Sequence, residues 1–280
     1  LDAVKKEGLD SIMLSDRPLA AQIGGEVFNL RFTPKKDTQI HLLRYGEDMG
    51  RRVYERTLQF LFILAMRKEF PRARVCVRYS LGPGLFITVD GMEEPFNEEA
   101  ALKVETEMRR LVRLKLPLER RRISIKEALS FYEQDGQADK AKLLKWRRFS
   151  YFDVYQIDGY MDYFYGEMAP DTSYADVFRV KYVHDGAVVL LMPRSDAPDV
   201  PSDYVDLPKL HAVFHQSDEW GKLMECATVN DLNTHIQNGT IRELVRINEA
   251  LHDRGYADIA DKIVQKGAKA VLVAGPSSSG

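Results

Sequence analysis

The 280-residue chain carries 40 Lys and Arg against 42 Asp and Glu, a net charge of −2, and 45% of its residues are hydrophobic. Such a balance fits a globular chain long enough for two or three domains and excludes an overall electrostatic drive toward nucleic acid or an anionic membrane. The N-terminal stretch lacks the apolar core of a signal peptide, and no run reaches transmembrane length. Cys76 and Cys226 are far apart, without metal-ligand spacing, and fit free thiols in a reducing compartment, the alternative being one long-range disulfide; the cytoplasm is expected.

In chain order, residues 18–30 place Gly24-Gly25 between two short apolar stretches, a β-hairpin signal, and residues 38–45 give a further strand. After Gly50 the period changes. Val53, Leu58, Leu61, Phe62, Leu64 and Ala65 recur at helical spacing until Phe70-Pro71. Two strands follow around Gly82-Pro83-Gly84, then a helix from Glu98 to about Lys115 with Leu102, Met108, Leu111 and Val112 on its stripe. Ser124 and Glu127 form a capping box for the next helix. Residues 151–155, 177–182 and 187–192 read as strands, and the Pro/Asp-rich residues 195–210 as a linker into a helical segment over roughly 209–266. Thr228 and Asp231 mark a helix start there and Gly267 a stop.

Four features bear on chemistry. Residues 103–122 are strongly basic, with Arg109, Arg110, Arg113, Arg120, Arg121 and Arg122 against Glu105, Glu107 and Glu119, and aromatics follow at Trp146, Phe149, Tyr151 and Phe152. Arginines with aromatics can clamp phosphates and stack bases, whereas the plain alternative is a solvated face beside core rings. His211 and His215 share a helix face but lack a third ligand and the glutamate of a zinc protease, so no metal is expected there. The aromatic run Tyr163-Phe164-Tyr165, followed by Gly166, suits either a pocket wall or a core corner.

Residues 270–274 read as a short buried strand feeding Gly275, Pro276, Ser277, Ser278, Ser279 and Gly280, the G-x-x-x-x-G half of a phosphate-binding loop. Backbone N–H groups of such a loop surround a phosphate. The lysine and Ser/Thr that would reach the β- and γ-phosphates and magnesium are not in the chain, so the 280 residues alone are expected to be inactive, with no catalytic residue among them.

The order of these segments is familiar. Residues 50–182, through FLFILAMRKEFP, the Gly82-Pro83-Gly84-Leu85-Phe86 strand entry, ALKVETEMRRLVRLKLPLERRRISIKEALSFYE and YGEMAPDT, resemble the second additional (editing) domain of threonyl-tRNA synthetases. Residues 18–45 look like the small β-grasp TGS module that precedes it, and the final stretch resembles the approach to a uridine kinase-type P-loop domain. The resemblance implies an α+β chain: a TGS-like module at 1–49, an editing-like domain at 50–195, a linker and helical segment at 196–266, and the start of a P-loop domain at 267–280. It implies the N-terminal regulatory or substrate-shaping half of a nucleoside kinase acting on uridine, with ATP and Mg²⁺ used by the following domain. The alternative is an RNA-binding module gripping a tRNA end through the basic stretch. A membrane partner is not expected, and assembly of identical copies is compatible with either reading.

The resemblance also implies what has been lost. Its metal and editing centre uses a His-x-x-x-His and a Cys-x-x-x-His pair, whose positions fall on Arg56 and Phe60 and on Phe164 and Met168. None of these can hold zinc in that geometry, so aminoacyl-tRNA deacylation is not implied. The four are expected to cluster, with Phe and Met side chains packed together and Arg56 at the mouth.

Overall fold

A computed structural model describes residues 1–9 and 12–273. The chain forms several small antiparallel sheets and helices, an α+β architecture, arranged as two compact units: residues 1–128 with 149–214, and residues 129–148 with 215–280.

The first unit opens with the short helix α1 (Asp2–Lys6) and a three-stranded sheet, order β2-β1-β3, from β1 (Ala20–Ile23), β2 (Glu26–Phe28) and β3 (His41–Leu43). Gly24 and Gly25 both have positive φ, 56° and 87°, the pairing that a two-residue hairpin turn needs to match strand twist. Helix α2 (Asp48–Glu69) follows and buries Val53, Tyr54, Leu58, Phe60, Leu61, Phe62, Leu64, Ala65 and Met66. Its apolar positions run on more than one side because it shares one core with Ala20, Ala21 and Leu43 of the first sheet and packs against α3 (Glu98–Leu114).

The central sheet has order β4-β5-β10-β9, from β4 (Arg74–Leu81), β5 (Gly84–Asp90), β9 (Arg179–His184) and β10 (Ala187–Leu191). Period-2 alternation sorts its side chains. Leu85, Ile87, Val89, Val188 and Leu190 enter the main core, whereas Phe86, Ala187, Val189 and Leu191 form a second cluster on the other face. In β4 the register shifts between Val77 and Tyr79, so Arg78 is an extra residue opposite β5. That bulge moves Tyr79 and Leu81 to the second face although Val75 and Val77 pack on the first. The second face is covered by Leu207 and the first turns of α6 (Pro208–Leu223), where Tyr79 stacks on Phe214 at 4.2 Å and hydrogen-bonds His211 at 2.7 Å.

The basic stretch is divided between two elements. Arg109, Arg110 and Arg113 ride on α3, which ends with Lys115 in the left-handed region at φ 51°. Arg120, Arg121 and Arg122 lie on β6 (Glu119–Ser124), the edge of a sheet ordered β6-β7-β8 with β7 (Tyr151–Ile157) and β8 (Tyr160–Asp162). Helix α4 (Ile125–Gln134) follows β6, its Glu127 N–H donating to Ser124 Oγ at 3.1 Å.

Two expectations are corrected. Residues 195–210, read as a linker, contain half of a small hairpin, β11 (Pro193–Arg194) with β12 (Ala197–Pro201); backbone pairing overrides the Pro/Asp-rich composition, with Pro193 opposite Pro201 at the outer end and a register shift between Pro193 and Arg194. Residues 270–273 form no strand, and Leu272 and Val273 are 97% and 93% exposed. An apolar run becomes a buried strand only when neighbouring strands take its hydrogen bonds, and among the described residues none does. Gly275 to Gly280 lie outside the described residues.

The second unit contains α5 (Ala138–Leu144), α7 (Val229–Gln237) and α8 (Ile241–Gln265). Helix α7 starts with a complete capping box: Thr228 accepts from the Asp231 N–H, and Asp231 accepts from the Thr228 N–H at 2.9 Å. Trp146 Nε1 donates to Asn230 Oδ1 at 3.0 Å and fixes α7 beside the end of α5.

Candidate functional site

Arg56, Phe60, Phe164 and Met168 come from two chain segments, the middle of α2 and the loop after β8. Spacing of four residues puts Arg56 and Phe60 on one side of α2. The rings of Phe60 and Phe164 are 5.2 Å apart between centroids, and Phe60 also lies 5.9 Å from Tyr160. Phe60 and Met168 are fully buried and Phe164 half-buried. Apolar rings thus occupy the interior of the cleft.

The loop carrying Phe164 and Met168 is held by polar contacts from four directions. Tyr155 Oη donates to Glu167 Oε2 at 3.0 Å and accepts from the Met168 N–H at 3.2 Å. Thr57 Oγ1 accepts from the Ala169 N–H at 2.9 Å. Asn29 Nδ2 donates to the Met168 carbonyl at 2.7 Å, and Arg31 donates to the Pro170 carbonyl at 2.9 Å. The Leu118 N–H also donates to Pro170 O at 3.0 Å. Burial, with Glu167 beside it, pushes the Tyr155 hydroxyl well above its usual pKa, so it stays a neutral donor.

Arg56 stands where this loop meets the first sheet. Its Nε donates to the Glu167 carbonyl at 2.9 Å, and its guanidinium lies against the backbone of Gly166. A Cβ on Gly166 would sit 2.9 Å from Arg56 Cζ, which would have to swing aside, and the φ of +104° is a conformation that favours glycine. Burial lowers the Arg56 pKa from its ordinary value, the sign of a cation short of solvent.

Arg56 lines an open groove of about 720 Å³ with Val27, Phe28, Asn29, Phe32, Met49, Arg52, Arg120, Gly166, Glu167 and Glu26. Phe28 and Phe32 stack at 4.3 Å, and Phe32 and Met49 are 45% and 44% exposed. Arg52, one turn before Arg56, is exposed and makes no ion pair or hydrogen bond among the described residues. The sequence reading missed Arg52, Phe28, Phe32 and Met49. The available signal was the Met49-x-x-Arg52-x-x-x-Arg56 spacing, which places all three on one helix face.

The basic stretch behaves differently. Arg109 is paired with Glu105 at 2.7 Å and donates to the Phe178 carbonyl, and Arg110 holds Glu107 through two bonds of 2.6 and 2.7 Å. Arg120 bridges Asp153 at 3.1 Å and also pairs with Glu167, while Arg122 pairs with Asp153 at 2.7 Å and lies over the Tyr151 ring. Arg121 donates to Gln156 at 2.7 Å. Arg113 is exposed and makes no ion pair among the described residues. The hydrogen bonds of Arg122 and, against the burial penalty, of Arg120 hold the Asp153 carboxyl below its ordinary pKa.

Among the described residues no group of three or more His, Cys, Asp or Glu is placed to hold a metal, and the side chains of Arg56, Phe60, Phe164 and Met168 do not fit one. No helix there is long and apolar enough to cross a membrane.

No family model matches the chain. It is similar to threonine–tRNA ligases: 27% identical over 175 residues to that of Carboxydothermus hydrogenoformans, covering 60% of this chain and 26% of the ligase. The ligase of Acetivibrio thermocellus is 28% identical over 142 residues, 50% of this chain and 22% of that protein. That of Clostridium kluyveri is 25% identical over 171 residues, 61% and 27%. The chain spans about a quarter of the length of these curated relatives. The similarity is partial and weak.

Proposed function

We propose that the chain is a threonine–tRNA ligase-like RNA-binding module that holds an RNA end in its groove and does not hydrolyse it. The observation that carries this reading is the coexistence of an open groove with a filled interior. Arg52, Arg56, Phe28 and Phe32 give cations and ring faces at the surface, while Phe60, one turn from Arg56 on α2, and Met168 are fully buried and the Phe60 ring packs on Phe164. Arginine and exposed rings are the donor set that single-stranded nucleic acid uses, through phosphate and base stacking. In this reading residues 1–49 serve as the TGS-like module and 50–195 as the editing-like domain. Fluorescence anisotropy with a labelled single-stranded RNA tests it: binding that weakens in Arg52→Gln is expected, and no binding even at low salt overturns it.

A second reading has one observation in its favour, the sequence Gly275-Pro276-Ser277-Ser278-Ser279-Gly280. In it the chain is the regulatory half of a uridine-type nucleoside kinase, and ATP with Mg²⁺ binds where a phosphate loop begins at Gly275. ATP-dependent phosphoryl transfer to uridine by protein continuing through a lysine and threonine after Gly280 is the test; absence of transfer to every common nucleoside removes this reading.

A further inference from the structure

We infer that the groove between the first sheet and the Phe164–Pro170 loop is a site for one nucleotide unit, and that a free nucleoside 5′-monophosphate is its ligand. The inference rests on the reading of the groove as a nucleic-acid site and narrows it to a single base, ribose and phosphate.

The argument is a count of cations. Of the arginines lining the groove, Arg120 is committed to Asp153 and Glu167. Arg52 makes no ion pair or hydrogen bond among the described residues, with half-buried Glu55 the carboxylate whose charge it shares with Arg56, and Arg56 uses only its Nε, toward the Glu167 carbonyl, leaving both terminal nitrogens without a hydrogen-bond acceptor there. The two stand one helical turn apart on α2, so their guanidinium groups can converge on one phosphate and give charge-assisted, forked bonds.

Beyond that point the favourable charge ends. Glu26 lies on the groove wall, and on the β6 side Asp153 shares Arg120 and Arg122. A second phosphate would meet carboxylates or cations already neutralised, so a longer strand gains little from continuing past the groove. The aromatic element is equally local. Phe32 is 45% exposed and stacked on Phe28, so one ring face is supported from behind while the other is open to a base, with exposed Met49 nearby. The volume of about 720 Å³ lies within the range of small-ligand sites.

Isothermal titration of the 280-residue protein with uridine 5′-monophosphate and adenosine 5′-monophosphate tests the inference, with uridine, inorganic phosphate and a single-stranded RNA of about ten nucleotides as further arms. The expected result is that a monophosphate binds at least about tenfold more tightly than its nucleoside or phosphate alone, as one charge-assisted site gives. Arg52→Gln, at an exposed position, and Phe32→Ala should each weaken it about tenfold, and the RNA should bind within a few-fold of the monophosphate. RNA binding without monophosphate binding at millimolar concentration overturns the inference and leaves the RNA-binding reading standing. Failure of both ligands overturns both. Monophosphate binding unchanged by Arg52→Gln and Phe32→Ala puts the ligand elsewhere and overturns the assignment of this groove.

Discussion

Replacing Gly166 by alanine separates two roles that one residue combines. Its φ of +104° is a conformation that an L side chain rarely adopts, and the added Cβ would stand 2.9 Å from Arg56 Cζ and 3.1 and 3.2 Å from its terminal nitrogens. Backbone strain of this kind costs about 1–3 kcal/mol. The contact does not add fully to that, because the guanidinium is the end of a flexible side chain and can swing away. Swinging away breaks its bond to the Glu167 carbonyl, worth about 1 kcal/mol net, and moves the cation out of the groove. Gly159 is the matched control, with φ +82° in the β7–β8 turn and nothing within 4 Å of its Cβ. Urea unfolding followed by far-UV circular dichroism should therefore show both variants destabilised by about 1–3 kcal/mol, with Gly166→Ala up to about 1 kcal/mol worse. Titration with uridine 5′-monophosphate should separate them further: Gly166→Ala loses about tenfold in affinity and Gly159→Ala keeps it. Equal stability and unchanged binding in the two variants would refute the account of Arg56 as a cation positioned by the Gly166 backbone.

Other expectations follow from the same contacts. Phe60→Ala empties the interior of the cleft and should cost about 3–5 kcal/mol in urea unfolding, whereas Phe60→Leu should cost less than about 2 kcal/mol and leave groove binding within twofold; an inexpensive Phe60→Ala would mean that the aromatic cluster is not packed. The depressed pKa of Asp153 gives a pH dependence whose sign is fixed: stabilisation is present above the unfolded-state value near 4 and is lost as pH falls through the lower folded value. Because the Arg122 side chain is 62% exposed, Asp153→Asn should cost no more than about 1 kcal/mol at neutral pH, and the difference from wild type should shrink as pH falls below the unfolded-state value of about 4. A difference that does not shrink over that range would show that the charge is not its origin. In the second unit, Thr228→Ala removes half of the α7 capping box and should cost about 1 kcal/mol, read from the fluorescence of Trp146 and Trp220 during unfolding.

Much of the fold was legible because its signals are local. The Gly24-Gly25 turn, the α2 stripe, the Gly82–Gly84 turn and the Thr228/Asp231 box announce themselves within a few residues. The parts that were not legible depend on partners distant in sequence. Strand β6 looks like a run of charge because its arginines are satisfied by Asp153 and Gln156, more than 30 residues away. The Val77–Tyr79 bulge leaves no mark in the apolar pattern of β4, and the strand expected at 270–274 had the pattern, but over 270–273 it has no paired neighbour among the described residues. At the candidate site, family resemblance led to Arg56, Phe60, Phe164 and Met168; the rings of Phe60 and Phe164 lie 5.2 Å apart, and Arg56 lies against Gly166 on the same loop as Phe164 and Met168. It did not lead to Arg52, Phe28 or Phe32, since Phe28 belongs to the first sheet and Phe32 to the turn that follows it, and both enter the groove only through tertiary packing.

The salt dependence of RNA affinity tests the central claim most directly, because it counts the phosphates that the protein neutralises. If RNA engages only Arg52 and Arg56 of the groove, at most about two phosphates are neutralised and the logarithmic slope for a single strand is no steeper than about −1.4. Raising salt from about 50 mM to about 200 mM should then weaken binding roughly sevenfold. Engagement of Arg109, Arg110, Arg113, Arg120, Arg121 and Arg122 together would give a slope near −4 and a loss of about 300-fold over the same range. A shallow slope, made shallower still by Arg52→Gln, is the predicted result. A slope near −4, insensitive to Arg52, would place RNA on the basic stretch and contradict the groove as the binding site.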